Sequence, residues 1–306
     1  MDLSLLVEEA LSIQSSVFIE LVDKAVSLLR KENGQVGNLT IVNRLVKLEP
    51  LGEALVIGDL HGDFESLVVI LQKSRFIEKM EKTRDATLIF LGDYGDRGEK
   101  SAEVYYLVLK LKLAFSRQVV LLRGNHEGPK DLVASPHDLP FQFQNRFGEV
   151  WAVVYEKIRA LWPYLYNAVY VGDRYLMVHG GVSPEISSLQ DIAQAQESHN
   201  EALLEDLLWS DPDENEQGVS SSPRGAGKLF GKSVTEEVLG KLNAKILIRG
   251  HESSDMGFKI NHDGKVLTLF SRKGASYFNR YGAYLQLQLS EKFENAQQLI
   301  PLIHQF

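Results

Sequence analysis

The period of the apolar positions changes along this chain of 306 residues. Near the N-terminus Leu5, Leu6, Ala10, Ile13, Val17, Leu21, Ala25 and Leu28 recur at roughly helical spacing. That pattern predicts helix over 3–31, ended by Asn33-Gly34. From residue 54 onward, short apolar runs end in glycine-bearing polar loops. Residues 54–57 lead into GDLHGD, 87–91 into GDYGDRG, 119–122 into RGNHE, 175–178 into HGGVSP and 245–248 into RGHE. Each run is too short for a helix and is bounded by breakers, so buried strand is the expectation. Amphipathic stretches at 65–73, 102–115 and 234–242 lie between several of these runs, and such alternation predicts an α/β domain. Residues 257–260 and 265–270, flanking His262-Asp263-Gly264, read as a hairpin. With an alternating last strand over 284–289, this late run of strands predicts a mixed sheet. No Pro/Gly/Ser-rich linker and no internal repeat interrupts the chain. One domain over 1–306 is expected, with an N-terminal helical region over 1–50 and a core over 54–290.

In α/β sheets ligands bind outside the carboxyl ends of strands, and all five polar loops sit there. Folding then gathers Asp59, His61, Asp63, Asp93, Asp96, Arg97, Asn125, His126, Glu127, His179 and His251 at one edge. Carboxylate, imidazole and amide donors together suit Mn, Fe, Zn or Co better than Ca or Mg alone. The donors outnumber what one ion takes, which points to a two-metal site with a carboxylate bridging ions ~3.5–4 Å apart. In Asp59-x-His61 the two side chains share one face of an extended strand end. Arg97 offers a planar fork for phosphate oxygens. Four of the eight histidines fall in these loops. His137, His199, His262 and His304 lack that context and are expected at the surface or in packing. Phe141, Phe143, Phe147, Trp151 and Trp162 are expected to pack into the core.

Composition narrows the chemistry. The chain has no cysteine, which excludes disulfides, zinc–thiolate and iron–sulfur sites and every cysteine-nucleophile phosphatase. The net charge of −8 argues against a nucleic-acid backbone as partner. No apolar run approaches the ~18 residues of a membrane span. The opening MDLSLLVEEALS lacks a basic n-region, so a cytoplasmic location is expected. The stretch 226–233 ends in Gly-Lys-Ser but opens with Ala226 where a phosphate-binding P-loop needs glycine, so that module is rejected.

The stretches GDLHG (58–62), GDYGDRG (92–98), RGNHE (123–127), HGG (179–181) and RGH (249–251) resemble the phosphoprotein phosphatase family of Ser/Thr phosphatases, within the metallophosphoesterases. LWSDP (208–212), then Arg224-Gly225 and Phe230-Gly231, extend the likeness, which spans about 54–290. The resemblance implies a sandwich of two mixed β-sheets flanked by helices, with two divalent metals at one edge. These would be Mn, Fe or Zn, with Mg or Co also admitted. It implies Asp59, His61 and Asp93 on the first metal. Asp93 would bridge to the second, which Asn125, His179 and His251 complete. Arg97 and Arg224 would clamp the phosphate, with Asn125 at the substrate side. His126 would be the general acid and Asp96 would hold its ring. The implied activity is hydrolysis of phosphoserine and phosphothreonine esters on proteins, with no phosphoenzyme. The segments 128–149 and 271–283 depart from the family's eukaryotic pattern, so a prokaryotic-type member is expected. The family's active-site-edge tyrosine falls by strict spacing on Ala275, and Tyr277 requires a gap. A dinucleoside polyphosphate hydrolase shares the same metal loops, but GNHE in place of GNHD, together with LWSDP and Arg224, favours the phosphatase.

Overall fold

The computed structural model describes residues 1–197 and 201–306, so His199 lies outside the described residues. The chain opens with helices α1 (Leu3–Leu11) and α2 (Ser15–Lys31), then strands β1 (Gly34–Val36), β2 (Leu39–Val42) and β3 (Leu45–Leu48). Next come β4 (Glu53–Ile57), α3 (Phe64–Ser74), α4 (Phe76–Lys82), β5 (Thr87–Phe90), α5 (Ser101–Ala114) and β6 (Val119–Leu121). Helices α6 (Leu139–Phe147) and α7 (Trp151–Leu161) precede β7 (Ala168–Val171) and β8 (Tyr175–Val178). Then follow α8 (Leu189–Ala193), α9 (Glu201–Trp209), β9 (Asp211–Pro212), β10 (Val219–Ser221), β11 (Lys228–Phe230), α10 (Lys232–Leu242) and β12 (Ile246–Arg249). The last strands are β13 (Phe258–Asn261), β14 (Val266–Leu269), β15 (Ala283–Gln288) and β16 (Ile303–Gln305).

All five strands expected to end in polar loops are present, as are the three amphipathic helices and the late hairpin. The N-terminus differs. The helix expected over 3–31 is two helices, because the Ser12 N–H closes onto Ala10 and Glu8 carbonyls and Gln14 is extended. The helical reading of 1–50 holds only to Lys31. Residues 34–48 form a three-stranded meander that turns at Gly37 and Asn43, both at positive φ. Its strands are three or four residues long, too short for a period-2 pattern to stand out.

The strands build two mixed sheets and a small third one. The larger has the order β1-β2-β3-β7-β8-β12-β14-β13, and the smaller β16-β15-β4-β5-β6. Strands β10, β11 and β9 form the third. The alternation of side chains across a strand shows how the two large sheets pack. Ile246 and Ile248 of β12 join the buried cluster that holds Val56 of β4 and Ile89 of β5. Leu247, pointing the other way, joins Ile192, Leu204 and Val238 of α8, α9 and α10. Each such side chain stabilises the fold by ~1.5–3 kcal/mol through burial. Phe143 and Trp162 are buried, Phe147 and Trp151 partly so, and Phe141 stands at the surface. Among the described residues no helix is long and apolar enough to cross a membrane.

The topology positions the site. Strands β4, β5 and β6 run parallel side by side, so their carboxyl ends face one way. In the other sheet β8 and β12 are parallel neighbours. The sheets meet at that edge through a parallel bridge between Asp59 and Phe270. A Cβ on Gly58 would lie 2.2 Å from the Leu269 carbonyl, so only glycine allows this approach.

Candidate metal and catalytic centre

The loop after β4 turns at His61, whose φ is 44°. The N–H groups of Leu60 and His61 both donate to the Asp93 carbonyl, tying this loop to the one after β5. Asp93, Asp96 and Arg97 also hold positive φ. Non-glycine residues keep that conformation only where the surroundings impose it, commonly at functional sites.

Six donor side chains converge. His61 Nδ1–H donates to the Gly95 carbonyl at 3.0 Å, which turns the Nε2 lone pair toward Asp93 Oδ2 (3.3 Å) and Asp59 Oδ2 (3.6 Å). His179 Nδ1–H likewise donates to the Leu91 carbonyl at 2.9 Å. Its Nε2 stands 3.0 Å from Asn125 Oδ1 and 3.4 Å from Asp93 Oδ1. His251 Nδ1 lies 2.9 Å from the same Asn125 oxygen. Asp93 therefore belongs to two clusters, with His61 and His126 and with His179 and His251. In each, the donor atoms lie within 4.8 Å of one another. His126 is committed elsewhere, because its Nδ1 is 2.6 Å from Asp96 Oδ2.

Charge balance tests whether cations fit. Asp59 and Asp93 are both buried, and burial, then the Asp93 charge, pushes Asp59 up to about 6. Burial draws His179 down, but Asp93 more than offsets it and lifts the imidazole to about 9. Asp59 Oδ2 and His251 Nε2 are buried with no hydrogen-bond partner. Lone pairs facing carboxylates, and orphaned donor atoms beside them, are the arrangement that divalent cations satisfy. The donors of both clusters fit divalent cations.

Around this cluster opens a cleft of about 410 Å³, lined by His126, Arg97, Arg224, Trp209 and Tyr277 among others. Arg97 lies over the Tyr277 ring, 5.6 Å from its centroid, and donates to the Ser135 carbonyl at 3.1 Å. Arg224 Nε donates to Asp211 Oδ2 at 2.5 Å. Each sequence-expected catalytic and metal residue is thus in one place: Asp59, His61, Asp93, Asp96, Arg97, Asn125, His126, His179, Arg224 and His251. Two other loop residues do different work. Asp63 caps α3 by accepting the Ser66 N–H. Glu127 accepts the N–H groups of Asp93, Tyr94 and Gly124 and the Tyr105 hydroxyl, which locks the two loops together.

Two neighbours escaped the sequence reading, and a third was met there only as a gapped match. Asp211 holds both Arg224 and the buried Arg249, and only its place in LWSDP hinted at it. Tyr277, which strict spacing passes over, stacks on His61 at 5.5 Å. His137, expected at the surface or in packing, bonds Asp96 instead; no strand end announced it. His262, buried against Thr235, is a packing residue, and His304, stacked on Tyr284, stands at the surface, both as expected.

Comparison with known proteins places the chain in a family. Residues 53–255 match the calcineurin-like phosphoesterase family. A probable serine/threonine-protein phosphatase of Encephalitozoon cuniculi is 35% identical over 251 residues, covering 80% of this chain and 52% of that protein. The chain thus spans about half the length of that relative. The serine/threonine-protein phosphatase 4 catalytic subunit of Candida glabrata is 36% identical, over 72% of this chain and 69% of that protein. The serine/threonine-protein phosphatase 6 catalytic subunit of Caenorhabditis elegans is 33% identical, over 78% and 71%. In fold, a Saccharomyces cerevisiae serine/threonine phosphatase with similarity to human phosphatase PP5 superposes with a TM-score of 0.74 at 23% identity, over 96% of this chain and 90% of that one. A cold-active protein tyrosine phosphatase superposes at 0.56 and 19%, over 79% and 75%. With the motifs, the two-sheet fold and these relatives in agreement, the chain belongs to the calcineurin-like phosphoesterases, in their phosphoprotein phosphatase branch.

Proposed function

We propose that this chain is a metal-dependent protein-serine/threonine phosphatase that hydrolyses phosphate monoesters on phosphorylated proteins of the cytoplasm. The observation that carries the reading is the convergence of Asp59, His61, Asp93, Asn125, His179 and His251, of which His61, Asp93, Asn125 and His251 line one cleft with Arg97 and Arg224. A pair of divalent cations, Mn, Fe or Zn, held there supplies activation of water for in-line attack and neutralises charge on the phosphoryl oxygens. The chain's own residues do the rest. Arg97 and Arg224 bind the phosphate by paired N–H donors, with Asp211 fixing the angle of Arg224. His126 turns Nε2 to the cleft, since Nδ1 is taken by Asp96. It gives its proton to the departing serine or threonine oxygen. Burial pulls His126 down, yet Asp93 and the Asp96 hydrogen bond outweigh it and raise its pKa, favouring the protonated acid. With no cysteine in the chain, no cysteinyl-phosphate intermediate forms.

The test is phosphate release from phosphoserine, phosphothreonine and phosphotyrosine peptides and cleavage of Ap4A, by protein stripped of metal and resupplied with Mn, Fe, Zn or Mg. Metal-restored hydrolysis of the first two is expected. Cleavage of Ap4A with no peptide dephosphorylation would overturn the substrate assignment.

A further inference from the structure

His137 lies between the loop after β6 and α6, yet it reaches the same carboxylate as His126. Asp96 Oδ2 is 2.6 Å from His126 Nδ1 and 2.8 Å from His137 Nδ1, while Oδ1 accepts the Leu139 N–H at 2.7 Å. An ionised carboxylate is an acceptor only, so both imidazoles present Nδ1–H to it. His137 Nε2, on the other side of the ring, lies 2.7 Å from the Tyr155 hydroxyl. The rings of Tyr155 and Trp162 pack around His137 at 5.7 and 6.4 Å. The same short segment holds the next residue too. Asp138 Oδ1 accepts the Arg97 N–H at 2.8 Å, and the Ser135 carbonyl accepts the Arg97 side chain. Asp96 and Arg97, at φ of 66° and 67°, are thus held by residues 135–139 from one side.

We infer that His137, backed by Tyr155, is a positioning residue for proton delivery: it anchors Asp96 so that the His126 ring keeps Nδ1–H on Asp96 and Nε2 toward the leaving oxygen. This rests on the reading of His126 as the group that protonates that oxygen. The proton transferred is the one on His126 Nε2. Asp96 stays ionised and His137 gives up none, acting through orientation alone. Burial pushes Asp96 up, but the hydrogen bonds from His126 and His137 prevail and hold it well below the usual carboxylate range.

The experiment separates anchoring from packing. His137→Leu keeps the volume and loses the donor, whereas His137→Asn keeps a donor at the Nδ1 position. Each is assayed with Mn-loaded full-length protein on a phosphoserine peptide, whose leaving group needs a proton, and on p-nitrophenyl phosphate, whose leaving group does not. His137→Leu is expected to slow the peptide about tenfold more than the aryl ester, a part of the ~10²–10⁴ that general acid catalysis supplies. His137→Asn should restore most of that loss. Tyr155→Phe, which deletes one oxygen and spares the fold, should shift the same ratio in the same direction. Equal losses on both substrates in His137→Leu, with His126→Gln selective for the peptide, would reduce His137 to packing and end the proposal. If His126→Gln itself is unselective, the acid reading fails. The low-field ring proton of His126 then decides: unmoved in His137→Leu it removes the anchor, and shifted or lost it keeps the anchor.

Discussion

Gly124 and Asp93 approach so closely that a Cβ on Gly124 would stand 2.1 Å from Asp93 Oδ1. The loops after two neighbouring parallel strands, β5 and β6, are in contact there, and the shared carboxylate leans on bare backbone. Gly124→Ala must push Asp93 away from both donor clusters while leaving the sheets intact. A displacement near 1 Å at a reacting centre costs on the order of 10²-fold. Activity is expected to fall by that factor, with metal content per protein reduced. A fully active Gly124→Ala protein carrying its normal metal would contradict the placement.

Asp93 carries the two clusters together, so its charge matters as much as its position. Asp93→Asn keeps the shape but turns one oxygen into an N–H₂ that repels a cation. The expected loss is ~10³-fold or more in kcat/KM, about 4 kcal/mol of barrier. Elemental analysis of the same protein should show depleted metal. Near-normal turnover would remove Asp93 from the bridging role.

Much of this could be read from residues alone, and the reason is local. Asp59, His61, Asp93, Asn125, His179 and His251 each follow a short apolar run with glycine beside them, and the carboxyl ends of neighbouring parallel strands face one way. The weaker readings had nothing local to rest on. Strands β1 to β3 are too short to show a period. Residues 3–31 keep helical spacing across the break at Ser12–Gln14, because Ile13 is buried in step with the helices. His137 and Asp211 gain their meaning only from partners, Asp96 and Arg224, 41 and 13 residues away in sequence.

Glu127 tests the distinction between a metal donor and a brace. Its two oxygens accept three backbone N–H groups and one hydroxyl, all donors. Burial and the Asp93 charge push it up to about 7, while those donors favour the carboxylate. Glu127→Gln must place an amide N–H₂ against at least one of them. Each buried donor left unpaired costs ~1–3 kcal/mol, so a lower melting temperature is expected along with lost activity. Lost activity at unchanged stability would make Glu127 a participant in the chemistry.

Asp211 divides its carboxylate between Arg249, through Oδ1 at 2.8 Å, and Arg224, through Oδ2. Asp211→Asn leaves Arg224 free to swing out of the cleft. The phosphate then loses one of its two clamps, and KM for a phosphopeptide is expected to rise by about tenfold or more, equivalent to ~1.4 kcal/mol. Arg249 is fully buried and retains the Gly180 carbonyl and Glu252, so the protein should still fold. An unchanged KM would sever Arg224 from substrate binding.

Metal should also hold the fold together, with a pH dependence whose sign follows from the ligands. Cations that bind only the native chain stabilise it by about 2.7 kcal/mol at a hundredfold excess over Kd. Melting is therefore expected to drop by roughly 5 °C on chelation, taking ~2 °C per kcal/mol for a chain of this size, and to recover on Mn addition. Binding requires Asp59 ionised and His179 neutral, and their values lie at about 6 and about 9. Lowering the pH loads both with protons that compete with the cation. The metal-dependent gain should thus shrink as pH falls from 9 through 6, and it should vanish in Asp93→Asn at every pH. A gain that is constant across that range, or one that survives in Asp93→Asn, would mean that the stabilising ions bind somewhere other than between the five loops.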